Sequence, residues 1–275
     1  MKVWVNGAMV DRDAATVSVF DHGFTVGDGV FETTKVVDGT PFALTRHLTR
    51  LAASATAMGL PVPDDTVVRT AVADVCAQLG SNPGRVRITL TAGEAPLGSG
   101  RGDAEPTLVV AASPMSPWPA TESVVLVPWV RNERSAVAGV KTTSYGDNVV
   151  ALAHAHSAGA GEALFANTIG ELCEGTGTNV FLVHDGVVRT PPLTSGCLAG
   201  VTRALVLAWC PEVREERLTP ADLATVDEVF LTSSTRDVQG VAAVNDRQLA
   251  NAPGPVTTSV AEVFARNAAN DPDPI

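Results

Sequence analysis

A proline-rich break at 113–123 constrains the folding of this chain more than any other feature. It places Pro114, Pro117 and Pro119 within six residues and shows little apolar periodicity. Proline fixes φ and removes an N–H donor, so such a run suits neither a helix interior nor an inner strand. The break divides 275 residues into two stretches, each long enough for its own core. The expected organisation is an N-terminal α+β domain over 1–112, an interdomain linker over 113–123, and a strand-rich C-terminal domain over 124–275.

In the first stretch, Lys2–Val5 and Ala8–Val10 flank Asn6-Gly7, a hairpin signal. Val30–Val37, Arg85–Thr91 and Thr107–Ala112 read as strands. From Thr45 onward Leu48, Leu51, Ala52, Ala55 and Met58 recur at helical spacing. Val68, Val72, Val75 and Leu79 repeat that pattern before a stop at Gly80. Beyond the break, strands are expected at Val124–Val127, Ala163–Ala166, Thr178–Val183, Val187–Thr190 and Val229–Thr232, with helices over Asp147–Ser157 and from Gly200 to Trp209. Thr219-Pro220-Ala221-Asp222 has an N-cap, a first-position proline and an acid, and predicts a helix start. The polar tail after Asn267 predicts loose chain.

A net charge of −11 argues against nucleic acid or an anionic membrane as partner, so an anionic ligand needs a local cationic pocket. Met1–Gly7 lack a long apolar core and no apolar run approaches spanning length, so a cytoplasmic location is expected. Cys76, Cys173, Cys197 and Cys210 are scattered and read as reduced thiols. His154 and His156, two apart on an expected helix, face different ways, and no metal is expected. Gly93–Gly102 lacks the Gly-Lys-Ser/Thr ending of a phosphate loop.

Lysine occurs only at Lys2, Lys35 and Lys141, so lysine chemistry has few candidates. The only tyrosine, Tyr145, lies four residues after Lys141. A lysine is most often a solvated surface group. Held beside a carbonyl cofactor, it is instead the amine that forms a Schiff base.

The surroundings of Lys141 favour the second reading. Lys141-Thr142-Thr143-Ser144-Tyr145-Gly146-Asp147-Asn148 is followed by Gly161-Glu162-Ala163-Leu164 and by Gly170-Glu171-Leu172-Cys173-Glu174-Gly175-Thr176-Gly177-Thr178-Asn179-Val180-Phe181. Thr190-Pro191 and Leu198-Ala199-Gly200-Val201-Thr202-Arg203 come next. Upstream stand Phe20-Asp21-His22-Gly23-Phe24-Thr25-Val26-Gly27-Asp28-Gly29-Val30-Phe31-Glu32-Thr33 and His47-Leu48-Thr49-Arg50-Leu51. In this order, over residues 4–245, the set resembles the class IV, fold-type IV aminotransferases, which depend on pyridoxal 5′-phosphate (PLP). The resemblance is strongest to D-amino-acid aminotransferases and aminodeoxychorismate lyases.

That resemblance implies an α+β, two-domain fold-type IV enzyme, a homodimer, with Lys141 as the cofactor-bound and catalytic lysine. It implies that Glu174 pairs with the pyridine nitrogen and that Tyr145 hydrogen-bonds the ring oxygen. Arg50 resembles the phosphate-binding arginine, a role its planar fork suits; Arg46, one turn earlier, reads as a helix-surface residue. Val201 and Thr202 open a helix, where free N–H groups and the dipole favour an anion. Ser233, Ser234 and Thr235 resemble the hydroxyl-rich turn completing the phosphate cup.

On the substrate side, the resemblance points to Phe31, Thr33 and the loop Thr91–Arg101. The arginine and histidine with which D-amino-acid aminotransferases hold a carboxylate fall on Leu97 and Ser99, and their tyrosine on Phe31. Arg101 and Arg236 are the nearest replacements. The expected activity is transamination of D-amino acids, extending to (R)-amines. The alternatives are an aminodeoxychorismate lyase giving 4-aminobenzoate and pyruvate, or a non-catalytic PLP-binding protein.

Overall fold

The computed structural model describes residues 1–275, which divide into two compact units. The first comprises Met1–Pro117, Val140–Tyr145 and Asp271–Ile275; the second comprises Trp118–Gly139 and Gly146–Asn270.

The first unit is a six-stranded antiparallel sheet under two helices. Strands β1 (Lys2–Val5) and β2 (Ala8–Asp11) form the hairpin, with Asn6 and Gly7 both at positive φ as its tight turn demands. A single turn α1 (His22–Thr25) leads to β3 (Gly29–Val37) and β4 (Thr40–Pro41). Helices α2 (Leu44–Met58) and α3 (Asp65–Cys76) precede β5 (Gly84–Thr91) and β6 (Thr107–Pro114). The sheet order is β2-β1-β6-β5-β3-β4. Leu48, Leu51 and Ala55 of α2 and Val68, Val72 and Val75 of α3 bury the periodic stripes of the sequence against Val30, Val86, Ile88 and Val110.

The second unit is built on a nine-stranded mixed sheet. It contains β7 (Thr121–Arg131), α4 (Gly146–Ser157), β8 (Glu162–Asn167), β9 (Leu172–Gly175), β10 (Asn179–His184) and β11 (Val187–Thr190). Then follow α5 (Val201–Trp209), β12 (Arg214–Glu215), β13 (Glu228–Ser233), β14 (Asp237–Val244), β15 (Arg247–Gln248) and α6 (Pro255–Asn270). Eight strands run β12-β11-β10-β13-β14-β7-β8-β9, and β15 adds to β14. The inner strands β8, β10 and β13 are buried almost throughout, so they read as apolar runs without alternation.

Several expectations need correction. The linker is shorter than 113–123, because β6 runs to Pro114 and β7 starts at Thr121; the two units part between Pro117 and Trp118. Lys141 was expected in the C-terminal domain, but Val140–Tyr145 belongs to the first unit. The cause is backbone pairing: Phe31 N–H donates to the Lys141 carbonyl at 3.0 Å, Thr143 N–H donates to the Gly29 carbonyl at 2.8 Å, and Val30 bridges Thr142. Thr219–Asp222 opens only a 3-10 turn, because the Asp222 carboxylate accepts from both the N–H and the hydroxyl of Thr219 and closes a local ring. The tail is not loose at Asn267, since α6 continues to Asn270. Its end joins the first unit, where Asp273 accepts from the Thr45 N–H and hydroxyl and Pro272 accepts from Ala43 N–H. Arg46 is no plain surface residue either, because its Nε donates to the Pro274 carbonyl.

Candidate active site

In the first unit, the segment that pairs with β3 brings Lys141 to a half-buried position. Its N–H donates to Ser54 Oγ on α2 at 3.3 Å, and its Nζ lies 4.3 Å from the centre of the Phe31 ring. Tyr145 meets the same ring edge-on, with centroids 5.2 Å apart. Arg87, in register opposite Thr33, lays its guanidinium 3.7 Å from the centre of Phe31. A ring face with two cations near it is electrostatically favourable, and Arg87 Nε also donates to Thr89 Oγ1 at 3.1 Å. Phe31, Thr33, Tyr145 and Lys141 therefore cluster with Arg87, which the motif reading did not include. Its only sequence signal is position: the register of β3 on β5 carries it opposite Thr33.

Arg50 lies one helical turn beyond His47 on α2, and both reach Glu32 of β3. Arg50 Nε and Nη2 each donate to Glu32 at 2.7 Å, one to each oxygen. His47 Nδ1 lies 2.7 Å from Oε2 of the same carboxylate. Glu32 is 1% exposed. Burial pushes its pKa up, but the Arg50 charge and the hydrogen bonds from Arg50 and His47 overcome this and bring it down to about 2. Burial holds the His47 pKa below its ordinary value, which keeps the imidazole neutral. The Lys141 charge lowers it further, so Lys141 lies within electrostatic reach of the triad.

The loop candidates differ. Leu97 is 75% exposed and Ser99 is exposed. Arg101 is occupied elsewhere: it forms a two-pronged pair with Asp28 at 2.7 and 2.6 Å and donates to the Met58 and Gly59 carbonyls. Its hydrogen bond lowers the Asp28 pKa, and Asp28 in return raises that of Arg101. Arg101 thus ties the loop to the end of α2.

In the second unit, Glu174 on β9 is held from two sides. Leu198 N–H donates to Oε2 at 2.9 Å, and Arg131 Nε lies 3.2 Å from Oε1. Arg131 stacks over Phe165 and donates to Asn148 Oδ1, and Asn148 donates in turn to the Thr176 carbonyl. Just beyond Leu198, Gly200 ends the turn that starts α5, and no side chain caps that helix. Val201 and Thr202, both buried, supply its first N–H groups. Ser233, Ser234 and Thr235, all half-buried, follow Thr232 at the end of β13. The Thr232 hydroxyl is buried with no partner. Arg236 N–H donates to Ser233 Oγ at 3.2 Å, while its guanidinium donates to Gln239 Oε1, lies over Trp118 and is 3.8 Å from Glu162.

These groups match the needs of PLP. An uncapped nine-residue helix start, a hydroxyl-rich turn and an unsatisfied buried hydroxyl suit a phosphate. A carboxylate braced by a guanidinium and an N–H suits a protonated pyridine nitrogen. One of only three lysines suits an aldehyde.

The amino-transferase class IV family model matches residues 29–244. The chain belongs to the class IV aminotransferases. This class IV aminotransferase is 35% identical over 278 residues to a Methanocaldococcus jannaschii protein named "Putative branched-chain-amino-acid aminotransferase", covering 96% of this chain and 95% of that one. It is 29% identical over 271 residues to the D-alanine aminotransferase of Bacillus licheniformis, covering 94% of each. Its structure matches the PLP-bound form of a hypothetical aminotransferase from Mycobacterium tuberculosis, with a TM-score of 0.86, 27% identity and 98% of each chain covered. The aminotransferase has the fold-type IV architecture and depends on PLP. No helix in it is long and apolar enough to cross a membrane.

Proposed function

We propose that this aminotransferase moves an amino group between a D-amino acid and a 2-oxo acid. The observation that carries the amino-acid part is the clustering of Arg87 with Phe31, Lys141 and Tyr145. A substrate carboxylate needs a donor near the reacting amine, and a guanidinium is the best chemical match. Arg87 takes that role in preference to Arg101 and Arg236 because its guanidinium shares the Phe31 ring with Lys141, whereas Arg101 pairs with Asp28 and Arg236 with Gln239. The D-handedness is supported by the Gly27–Thr33 segment and by likeness to the Bacillus licheniformis enzyme over nearly its full length. The identity with the Methanocaldococcus jannaschii protein favours a second reading, branched-chain amino acids.

In this reading Lys141 binds PLP covalently, Glu174 faces its pyridine nitrogen and Tyr145 its ring oxygen. Val201, Thr202 and the Ser233–Thr235 turn would bind the phosphate, joined by Arg50 from its pairing with Glu32, with Phe31 and Thr33 facing substrate. Bound PLP supplies an electron-accepting ring that stabilises negative charge at the substrate α-carbon. Lys141 Nζ would carry the proton from that carbon to the cofactor carbon that receives it, and back again in the reverse half of the exchange. Glu174 holds the proton on the ring nitrogen, and Arg131 keeps its carboxylate oriented.

The aminotransferase acts as a homodimer in this proposal. Val19, Phe20, Phe24 and Leu97 are at least half exposed, an apolar group suited to burial against a second copy. Light scattering that finds a fully active monomer refutes the assembly. The substrate test is a single-turnover absorbance assay of the PLP enzyme with D-alanine, D-glutamate, L-leucine, (R)-1-phenylethylamine and aminodeoxychorismate. Conversion of PLP to its amine form by the D-amino acids supports the proposal, conversion by L-leucine alone moves it to the second reading, and pyruvate release from aminodeoxychorismate alone replaces both.

A further inference from the structure

Asn179 lies against the turn that precedes α5 and in register with β13, beside the groups of the second unit assigned above to the cofactor. It is the first residue of β10, 5% exposed. Its Nδ2 donates to the Leu198 carbonyl at 2.9 Å, and Gly200 N–H donates to the same oxygen at 2.8 Å. Leu198 is the residue whose N–H holds Glu174. On the other side of the amide, Oδ1 lies against Gly200, where an added Cβ would come to 2.0 Å from it. Gly200 has φ −64° and ψ 135°, which any residue adopts, so glycine is required here by the approach of Asn179 and not by backbone conformation. Across the sheet, Asn179 is in register with Thr232, which immediately precedes Ser233–Thr235.

We infer that Asn179 is a positioning residue that locks the Leu198–Gly200 turn and thereby sets two cofactor contacts together: the Leu198 N–H that orients Glu174 and the first N–H groups of α5. The inference rests on the PLP assignment above. One amide serves both ends because the turn is only three residues long. A shift at Leu198 is passed to Gly200 with no intervening chain to absorb it. A buried amide that both donates to a turn carbonyl and fills the space beside the next glycine leaves the turn a single conformation.

The test titrates PLP into the apo forms of wild type, Asn179→Asp, Asn179→Ala, Gly200→Ala and the Asn179→Ala/Gly200→Ala double variant. It follows cofactor absorbance across pH, with melting of each apoprotein in parallel. Asn179→Asp is nearly isosteric but replaces the donor with an acceptor, so PLP affinity is expected to fall about tenfold or more, with a displaced pH midpoint of the bound-cofactor band. Gly200→Ala alone is expected to weaken PLP similarly. The double variant should bind no worse than Asn179→Ala, because truncating Asn179 removes the clash. Wild-type affinity and midpoint in Asn179→Asp overturn the inference. So does strict additivity of the two alanine substitutions, or an affinity loss that only tracks loss of folded protein. A wild type that binds no PLP refutes instead the cofactor assignment on which the inference stands.

Discussion

Replacing Glu32 by glutamine tests whether the buried triad between β3 and α2 holds the first unit together. Glu32 is almost fully buried, and Arg50 and His47 occupy both of its oxygens. Its pKa falls from an ordinary 4.5 to about 2 in the folded chain. At about 1.36 kcal/mol for each pH unit, this corresponds to about 3 kcal/mol of stability at neutral pH. Removing one member of a buried ion pair costs a similar amount, about 3–5 kcal/mol, because Arg50 is left without its counter-charge. The carboxyl is depressed in the folded state, so its stabilisation is fully present above about pH 4.5 and is lost as pH falls toward about 2. Glu32→Gln should lower the melting temperature by about 10 °C at pH 7. The gap from wild type should shrink to about three fifths of its neutral value near pH 3.5. Differential scanning calorimetry of both proteins between pH 7 and pH 3 measures this. A drop under about 3 °C at pH 7, or a gap that does not change with pH, refutes the assignment of the charge to Glu32.

The remaining predictions concern the chemistry. Borohydride reduction of the PLP enzyme followed by peptide mapping should label Lys141, and a label on Lys2 or Lys35 with Lys141 unmodified removes it from its role. Glu174→Gln should bind PLP yet slow the amino-acid half-reaction about a hundredfold or more, appearing in kcat and not in KM, because a neutral amide supports the ring proton poorly. An unchanged single-turnover rate counts against this. Arg87→Ala should weaken D-alanine turnover by about 10²-fold while leaving (R)-1-phenylethylamine nearly unaffected, as expected for a lost charged contact to a carboxylate. Arg101→Ala should instead affect both substrates alike, by loosening the loop; the reverse pattern in paired kcat/KM measurements would return Arg101 to carboxylate recognition.

Much of the secondary structure around the candidate site follows from local sequence pattern. The stripes Leu48/Leu51/Ala55 and Val68/Val72/Val75 are periodic because each helix buries one face, and Asn6-Gly7 marks a turn because both residues tolerate positive φ. With three lysines and one tyrosine, Lys141 and Tyr145 stand out from the sequence alone as candidates. Partnership was not legible, because it depends on distance in space. Arg101 and Arg87 are equally plain as letters, yet one is spent on Asp28 while the other lies over Phe31. Glu32 stands inside a motif, but only the register of β3 beneath α2 shows that it pairs with Arg50. Arg131 carries no signal of its own and Asn179 stands in a motif without a stated role, since the contacts that make them matter reach Glu174 and Leu198 from other strands. Tertiary structure also decided that Val140–Tyr145 joins the first unit, because its backbone donors and acceptors are satisfied by the edge of β3.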